Sequence, residues 1–301
     1  YAGRMTEERV DISGVGATYN GFAGGATTVA GILSSKLSAS GTNIDTTVKD
    51  SVIHDIISAS NSGSGVYGIA FAANGGITTN CRIERTTVSN VEATTANAYG
   101  IGYIAGFFGS APSNNATGSI ENLTISNVKS AFTGIAGGVV SNSVAGTGTA
   151  RTVIDLKNST ISEVSGGMFT TLEGAGLLLG GGTYDNTGVA DATLNATNVL
   201  MTDNKTTVSG PKNCGAFDTS FFVGGSGGSI TNTFTSGGGN LTDDTSCSGF
   251  FNKMSDKNNI VDLNTTLGPL QNNGGFIPTI ALLKGSPAID SGVTIAGLTD
   301  D

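Results

Sequence analysis

The chain has no tryptophan, 5 prolines in 301 residues, 1 histidine and 3 cysteines. With a single histidine, His54, and no cysteine close to it in sequence, neither a zinc site nor a catalytic triad can be assembled from the usual spacings. Charged residues make up only 12%, and 14 basic against 23 acidic residues give a net charge of −9. No Lys/Arg cluster is available to neutralise phosphates, which argues against nucleic acid as a partner. No apolar run approaches the roughly 20 residues that a membrane-spanning helix needs. Even the long uncharged stretch 131–150 is broken by Gly, Ser, Thr and Asn. No signal peptide is visible at Tyr1, so for an exported chain the signal has been removed or lies outside this sequence.

What fills the space is glycine, 47 residues of it, with Thr, Ser and Asn. These are poor in helix interiors and good in strands, turns and caps. Val, Ile, Leu and Phe recur at regular places, unlike the low-hydrophobicity, high-charge composition of a disordered chain.

One phrase recurs: VKDSVIHDI at 48–56, IERTTVSNV at 83–91, IENLTISNV at 120–128, LKNSTISEV at 156–164, ATNVLMTDN at 196–204, and a shorter ITNTFT at 230–235. Its third place holds Asp50, Arg85, Asn122, Asn158, Asn198 and Asn232. Between copies lies a second phrase whose second place holds Gly68, Gly100, Gly134, Gly176 and Gly215. A near-constant period of 34–40 residues is the signature of a repeat architecture. RVDISGV at 9–15 matches the end of the phrase, so this sequence starts inside a turn: either more protein precedes Tyr1 or this edge is used for association.

Within the phrase, apolar and polar residues alternate with the period of a strand. Asn or Asp at a recurring bend suits the left-handed backbone region and can bond the same residue one turn away. The reading is all-β: a right-handed parallel β-helix of about seven turns of 34–40 residues, three strands per turn, with parallel strands roughly 4.8 Å apart. Turns fall near 9–15, 48–56, 83–91, 120–128, 156–164, 196–204 and 230–235. The repeat domain is 1–250 and a capping segment is 251–301. Propellers need four antiparallel strands and their own dipeptide, and leucine-rich repeats need dominant Leu; neither pattern is present.

The stretches GGGNLTDDTSC at 237–247 and LGPLQNNGGFIPTIALLKGSPAIDSG at 267–292 resemble the C-terminal end of bacterial cell-surface β-helix proteins of the choice-of-anchor or CSLREA type. That family's TDxRG-like continuation is missing after Leu298-Thr299-Asp300-Asp301. The resemblance implies an exported β-helix, extracellular or on the cell surface, commonly without known enzymatic activity. It also implies that Cys214 and Cys247, which flank the sixth rung, pair as a disulfide. Cys81 is separately expected to be a buried, unpaired rung residue.

Other candidate sites have plainer readings. GSGVYG at 63–68 matches a dinucleotide fingerprint only formally, because no helical pattern follows it. His54 falls in the outward place held elsewhere by Ser89, Ser126, Ser162 and Thr202. The acidic and amide column Asp55, Asn90, Asn127, Glu163 and Asp203 is spread one residue per turn, unlike the paired carboxylates of a glycosidase. No catalytic residue and no cofactor is expected. Oxygen ligands at Asp185-Asn186, Asp203-Asn204 or Asp243-Asp244 leave calcium as the one ion to weigh. Tyr67 over Tyr99 and Phe71 over Tyr103 should stack one turn apart, while Phe107-Phe108 and Phe221-Phe222 would lie near loops.

The expected function is a structural or adhesive module. Its partners would be another copy, added end to end at the N-terminal turn, or surface glycans. The rival reading is a carbohydrate-binding or carbohydrate-active β-helix.

Overall fold

The structure is a computed structural model, and it describes residues 4–15, 29–36, 43–58, 65–73, 78–94, 97–106, 113–130, 135–166, 175–183, 187–206, 210–218 and 228–297. Two parallel sheets face each other. The larger carries seven rungs in chain order: Arg4–Glu8, Ile44–Ser58, Thr78–Ala93, Ser113–Ser130, Thr149–Gly166, Val189–Thr202 and Ser229–Gly238. The smaller stacks Val29–Lys36, Val66–Ala73, Ala98–Ala105, Ala136–Ala145, Ala175–Thr183 and Cys214–Asp218. Sequential strands alternate between the sheets, so the chain winds as a parallel β-solenoid. It makes about 5 turns rather than seven. The end rungs are incomplete circuits: the first is split into Arg4–Glu8 and Asp11–Ile12, and the last slips register between Ala196 and Thr197 before resuming at Leu241–Thr242.

The bends follow from two columns of left-handed residues. Asp50, Arg85, Asn122, Asn158 and Asn198 have φ of 50°, 42°, 56°, 46° and 56°. Five residues later in each rung, Asp55, Asn90, Asn127, Glu163 and Asp203 have φ between 51° and 59°. Arg9 and Gly14 repeat the pair in the first rung, with φ of 56° and 68°. Each long strand therefore turns two corners and has a four-residue segment between them, such as Leu123–Ser126. The short side chains of Asn and Asp tolerate this conformation best, and a typical L-residue loses roughly 1–2 kcal/mol there.

Both columns are hydrogen-bonded along the solenoid axis. In the first, Arg85 donates to Asp50 through Nε (2.6 Å) and Nη2 (3.2 Å), and Asn198 Nδ2 donates to Asn158 Oδ1 at 3.0 Å. In the second, Asn90 donates to Asp55 and Asn127 Nδ2 donates to Asn90 Oδ1 at 3.1 Å. Hydrogen bonding from Arg85 holds the Asp50 carboxyl below its ordinary range, against the opposing effect of burial.

Two of the residues read into ladders stand elsewhere. Asn232 pairs with Ala192 in mid-strand, and the bend of that rung is at Gly238 and Gly239, φ 103° and 71°. The match of ITNTFT to the phrase is therefore false, and GGGNLTD is the true last copy. Gly215 pairs with Leu178, two places off the glycine column, where Asn213 stands level with Gly176. Gly134 lies outside the described residues, and Gly138 fills its column. A Cβ added at Gly68, Gly100 or Gly138 would sit 2.7, 2.7 and 2.6 Å from the carbonyl oxygen of the next glycine in the column, so backbone proximity between turns is what demands glycine here.

The interior is built of apolar columns running along the axis. Val48, Ile83, Ile120 and Leu156 form one, and Ile53, Val88, Ile125, Ile161 and Met201 another, all fully buried. Each such aliphatic side chain contributes about 1.5–3 kcal/mol through burial. Phe71 stacks on Tyr103, ring centroids 4.9 Å apart, inside the core. Tyr67 and Tyr99 are also 4.9 Å apart but belong to a separate buried cluster with Ala70, Ile104, Val140 and Leu178.

Candidate functional site

Chemistry-bearing side chains collect in three places: the first rungs, the last rung, and the flank between the two bend columns. In the first rungs, His54 lies opposite Ser89 of the next turn. Its Nδ1 meets Asp55 Oδ2 at 2.8 Å and its Nε2 meets Asp11 Oδ1 at 3.0 Å. Both ring nitrogens thus face carboxylates, and an imidazolium donates to both. Burial alone would lower the histidine pKa, but hydrogen bonds and charge from Asp55 and Asp11 outweigh it, and the net shift is upward. In this arrangement both nitrogens are turned to carboxylates rather than to the Ser89 hydroxyl. The arrangement ties the first rung, through Asp11, to the second.

At the last rung the polar groups are committed to one another. Asp243 Oδ2 accepts from Thr202 Oγ1 (2.7 Å) and from the Asp203 amide (2.8 Å), and its Oδ1 accepts from Asn213 Nδ2 (2.7 Å). Asp244 Oδ2 accepts from the Asn213 amide (2.8 Å), and its Oδ1 from the Ser246 amide and hydroxyl (2.7 and 2.6 Å). These carboxylates serve as acceptors for protein donors that tie neighbouring segments together. Asp203 Oδ1 accepts from Asn264 Nδ2 at 3.3 Å, and Asn204 Oδ1 from the Val164 amide at 3.0 Å. Asp185-Asn186 lies outside the described residues. Among the described residues, no group of three or more His, Cys, Asp or Glu is placed to hold a metal.

Cys214 and Cys247 form a disulfide beside this network, which joins the last strand of the smaller sheet to the segment after Leu241–Thr242. Cys81 is a free, buried thiol, and burial pushes its pKa up to about 12. It is not reactive at neutral pH.

Beyond Asp243 the chain closes the end of the solenoid. Phe251 is buried in the core, and Phe250 packs on Phe234 with ring centroids 4.7 Å apart. Residues 255–260 occupy the backbone edge of the last corner: Lys257 donates to the Asn240 carbonyl (2.8 Å), Thr242 to Lys257 (2.9 Å) and Ile260 to Thr242 (2.9 Å). The cap therefore begins a few residues before 251.

Leu263 and Val293 of the remaining C-terminal segment also meet the last rungs, at Leu200, Leu241 and Asn198. Between them the chain forms an antiparallel hairpin, Leu267–Gln271 with Thr279–Leu282, whose loop reaches the flank. Thr87 Oγ1 donates to the Pro278 carbonyl at 2.6 Å, and the Arg9 guanidinium sits 5.0 Å above the Phe276 ring.

The periodic pattern does not pick out Asn204 and Asn240, which are fully buried. Each bridges a corner of the preceding turn: Asn204 between the Ile161 carbonyl and the Val164 amide, Asn240 between the Ala196 carbonyl and the Val199 amide. Their shared placement after a left-handed residue, Asp203 or Gly239, is the only sequence signal they carry. Phe107-Phe108, Phe221-Phe222 and the start of GSGVYG lie outside the described residues. No described helix is long and apolar enough to cross a membrane.

In comparisons with family models, curated proteins and solved structures, nothing matches the chain.

Proposed function

We propose that the chain is an exported structural module, a stiff β-solenoid held at or beyond the cell surface. The observation that carries this reading is the way its polar residues are used: bend amides, His54 and the last-rung aspartates are all turned to joining one rung to the next. The disulfide favours an oxidising compartment over the cytosol. The resemblance of residues 237–292 to cell-surface β-helix proteins points the same way.

Growth of filaments by rung-on-rung addition would need both ends open. At the N-terminal end the described strand Arg4–Glu8 pairs only with Ile44–Ser58. At the other end Phe250, Phe251 and residues 255–260 stand where a second copy would add. The module therefore acts as a single rod, displayed rather than polymerised through its last rung.

A glycan array and a polysaccharide-degradation screen test the reading against a carbohydrate-directed one. A scaffold gives neither saturable binding nor new reducing or unsaturated ends; either signal would replace this proposal with a lectin-like or enzymatic one.

A further inference from the structure

The C-terminal segment, with its hairpin, touches rungs that are far apart along the axis. At the last rungs, Leu263 (1% exposed) packs with Leu200 and Leu241, with Ile260, Leu267 and Ala288 against them. Asn198 exchanges two hydrogen bonds with Val293, each 2.8 Å. The chain then runs toward the opposite end, where Pro278 is bonded to Thr87 of the third rung and Phe276 lies under Arg9 of the first. It returns to Asn198 by residue 293. Beneath this path runs a column in the four-residue segments between bends, Val52, Thr87, Thr124, Thr160, Leu200 and Leu241, each paired with the next, of which Thr87 meets Pro278 and Leu200 and Leu241 meet Leu263. Thr87 is 0% and Thr124 6% exposed, although both stand on the outward side of their strands.

A plain stack of repeats couples only neighbours, so a defect at one end decays with distance and the other end frays independently. A segment anchored at both ends adds a direct connection between them. We propose that residues 260–293 form a longitudinal strap, whose docking makes the first rung and the last rungs open together instead of separately. The strap binds by shape and by a few polar anchors, and its hairpin keeps Phe276 largely exposed at 79%. Undocking one end releases the other.

Amide hydrogen exchange on the full chain tests this. In the wild-type protein, the Leu283 amide of the strap, bonded to the Thr266 carbonyl, and the Arg9 and Val52 amides of the first rungs should exchange at rates within about threefold, as members of one opening unit. Strap exchange much faster than first-rung exchange would overturn the proposal, since the strap would then open without consequence. The second measurement uses Leu263→Ala, which loosens the strap at the last rungs. Arg9 and Val52 should exchange at least about tenfold faster, while the Ala98 amide, bonded to the Ile135 carbonyl in mid-solenoid, changes less. A change largest at the last rung and fading steadily toward an unaltered Arg9 would show nearest-neighbour coupling only, and would also overturn it.

Discussion

Asn198 and Val293, 95 residues apart in sequence, exchange two hydrogen bonds: Asn198 Nδ2 donates to the Val293 carbonyl, and the Val293 backbone amide donates to Asn198 Oδ1. The same Asn198 stands at a left-handed corner and donates to Asn158 of the previous turn. One side chain thus serves the bend, the ladder and the C-terminal segment.

Replacing Asn198 separates these roles. Asn198→Gly keeps the left-handed corner and loses the hydrogen bonds, and should cost about 1–2 kcal/mol in denaturant unfolding. Asn198→Ala loses both, and should cost roughly a further 1 kcal/mol. Equal costs would mean that the corner conformation carries no strain.

The glycine column makes a sharper contrast. Gly100→Ala places a methyl 2.7 Å from the Gly138 carbonyl oxygen, whereas Gly268→Ala meets nothing nearer than 3.6 Å. Overpacking of this kind costs about 1–3 kcal/mol, so Gly100→Ala should lower the melting temperature and Gly268→Ala should leave it nearly unchanged. Differential scanning calorimetry of the two variants reads this directly.

Reduction of the disulfide should destabilise the chain by about 3–4 kcal/mol, as loop entropy gives for the 33-residue separation of Cys214 and Cys247. In the folded, oxidised protein no thiol should react with a thiol reagent near neutral pH, because Cys81 is buried and its pKa is raised. On unfolding, one should appear. Thiol titration against denaturant follows both events.

The pH dependence of the first rung has a definite sign. The folded pKa of His54 is raised, so its contribution is fully present below the unfolded value of about 6.5 and is lost as pH rises through the folded value. Asp55 has a lowered pKa, held down first by the hydrogen bond from Asn90 and then by His54, so its contribution is lost as pH falls below the ordinary carboxylate range. The link between Asp11, His54 and Asp55 is therefore strongest from about pH 4 to 6.5. Because His54 is the chain's only histidine, its proton NMR titration is free of overlap. A midpoint at or below 6.5, or a His54→Gln variant with unchanged pH dependence of stability, would refute the assignment.

The repeat is legible in the sequence because strand alternation and stacked identical bends leave a direct imprint on it. Asp50, Asn122, Asn158 and Asn198 align by residue type and spacing, since few residue types tolerate the left-handed region, and Arg85 aligns by spacing alone. The last copy escapes that alignment for a physical reason: there the corner is made by Gly238 and Gly239, which remove the Asn mark, while ITNTFT imitates the phrase from the middle of a strand. Gly215 misleads in the same way, as glycine is abundant enough to fill a pattern off its true register. The strap is not legible at all. Its anchors, Thr87 with Pro278 and Arg9 with Phe276, are single contacts between distant segments, and periodicity carries no information about them.

The most direct measurement of the central proposal is immunogold electron microscopy of intact cells that make this chain, before and after permeabilisation. An exported structural module predicts gold on the outer surface, or on extracellular material, of unpermeabilised cells. Gold confined to the interior and visible only after permeabilisation would contradict the account.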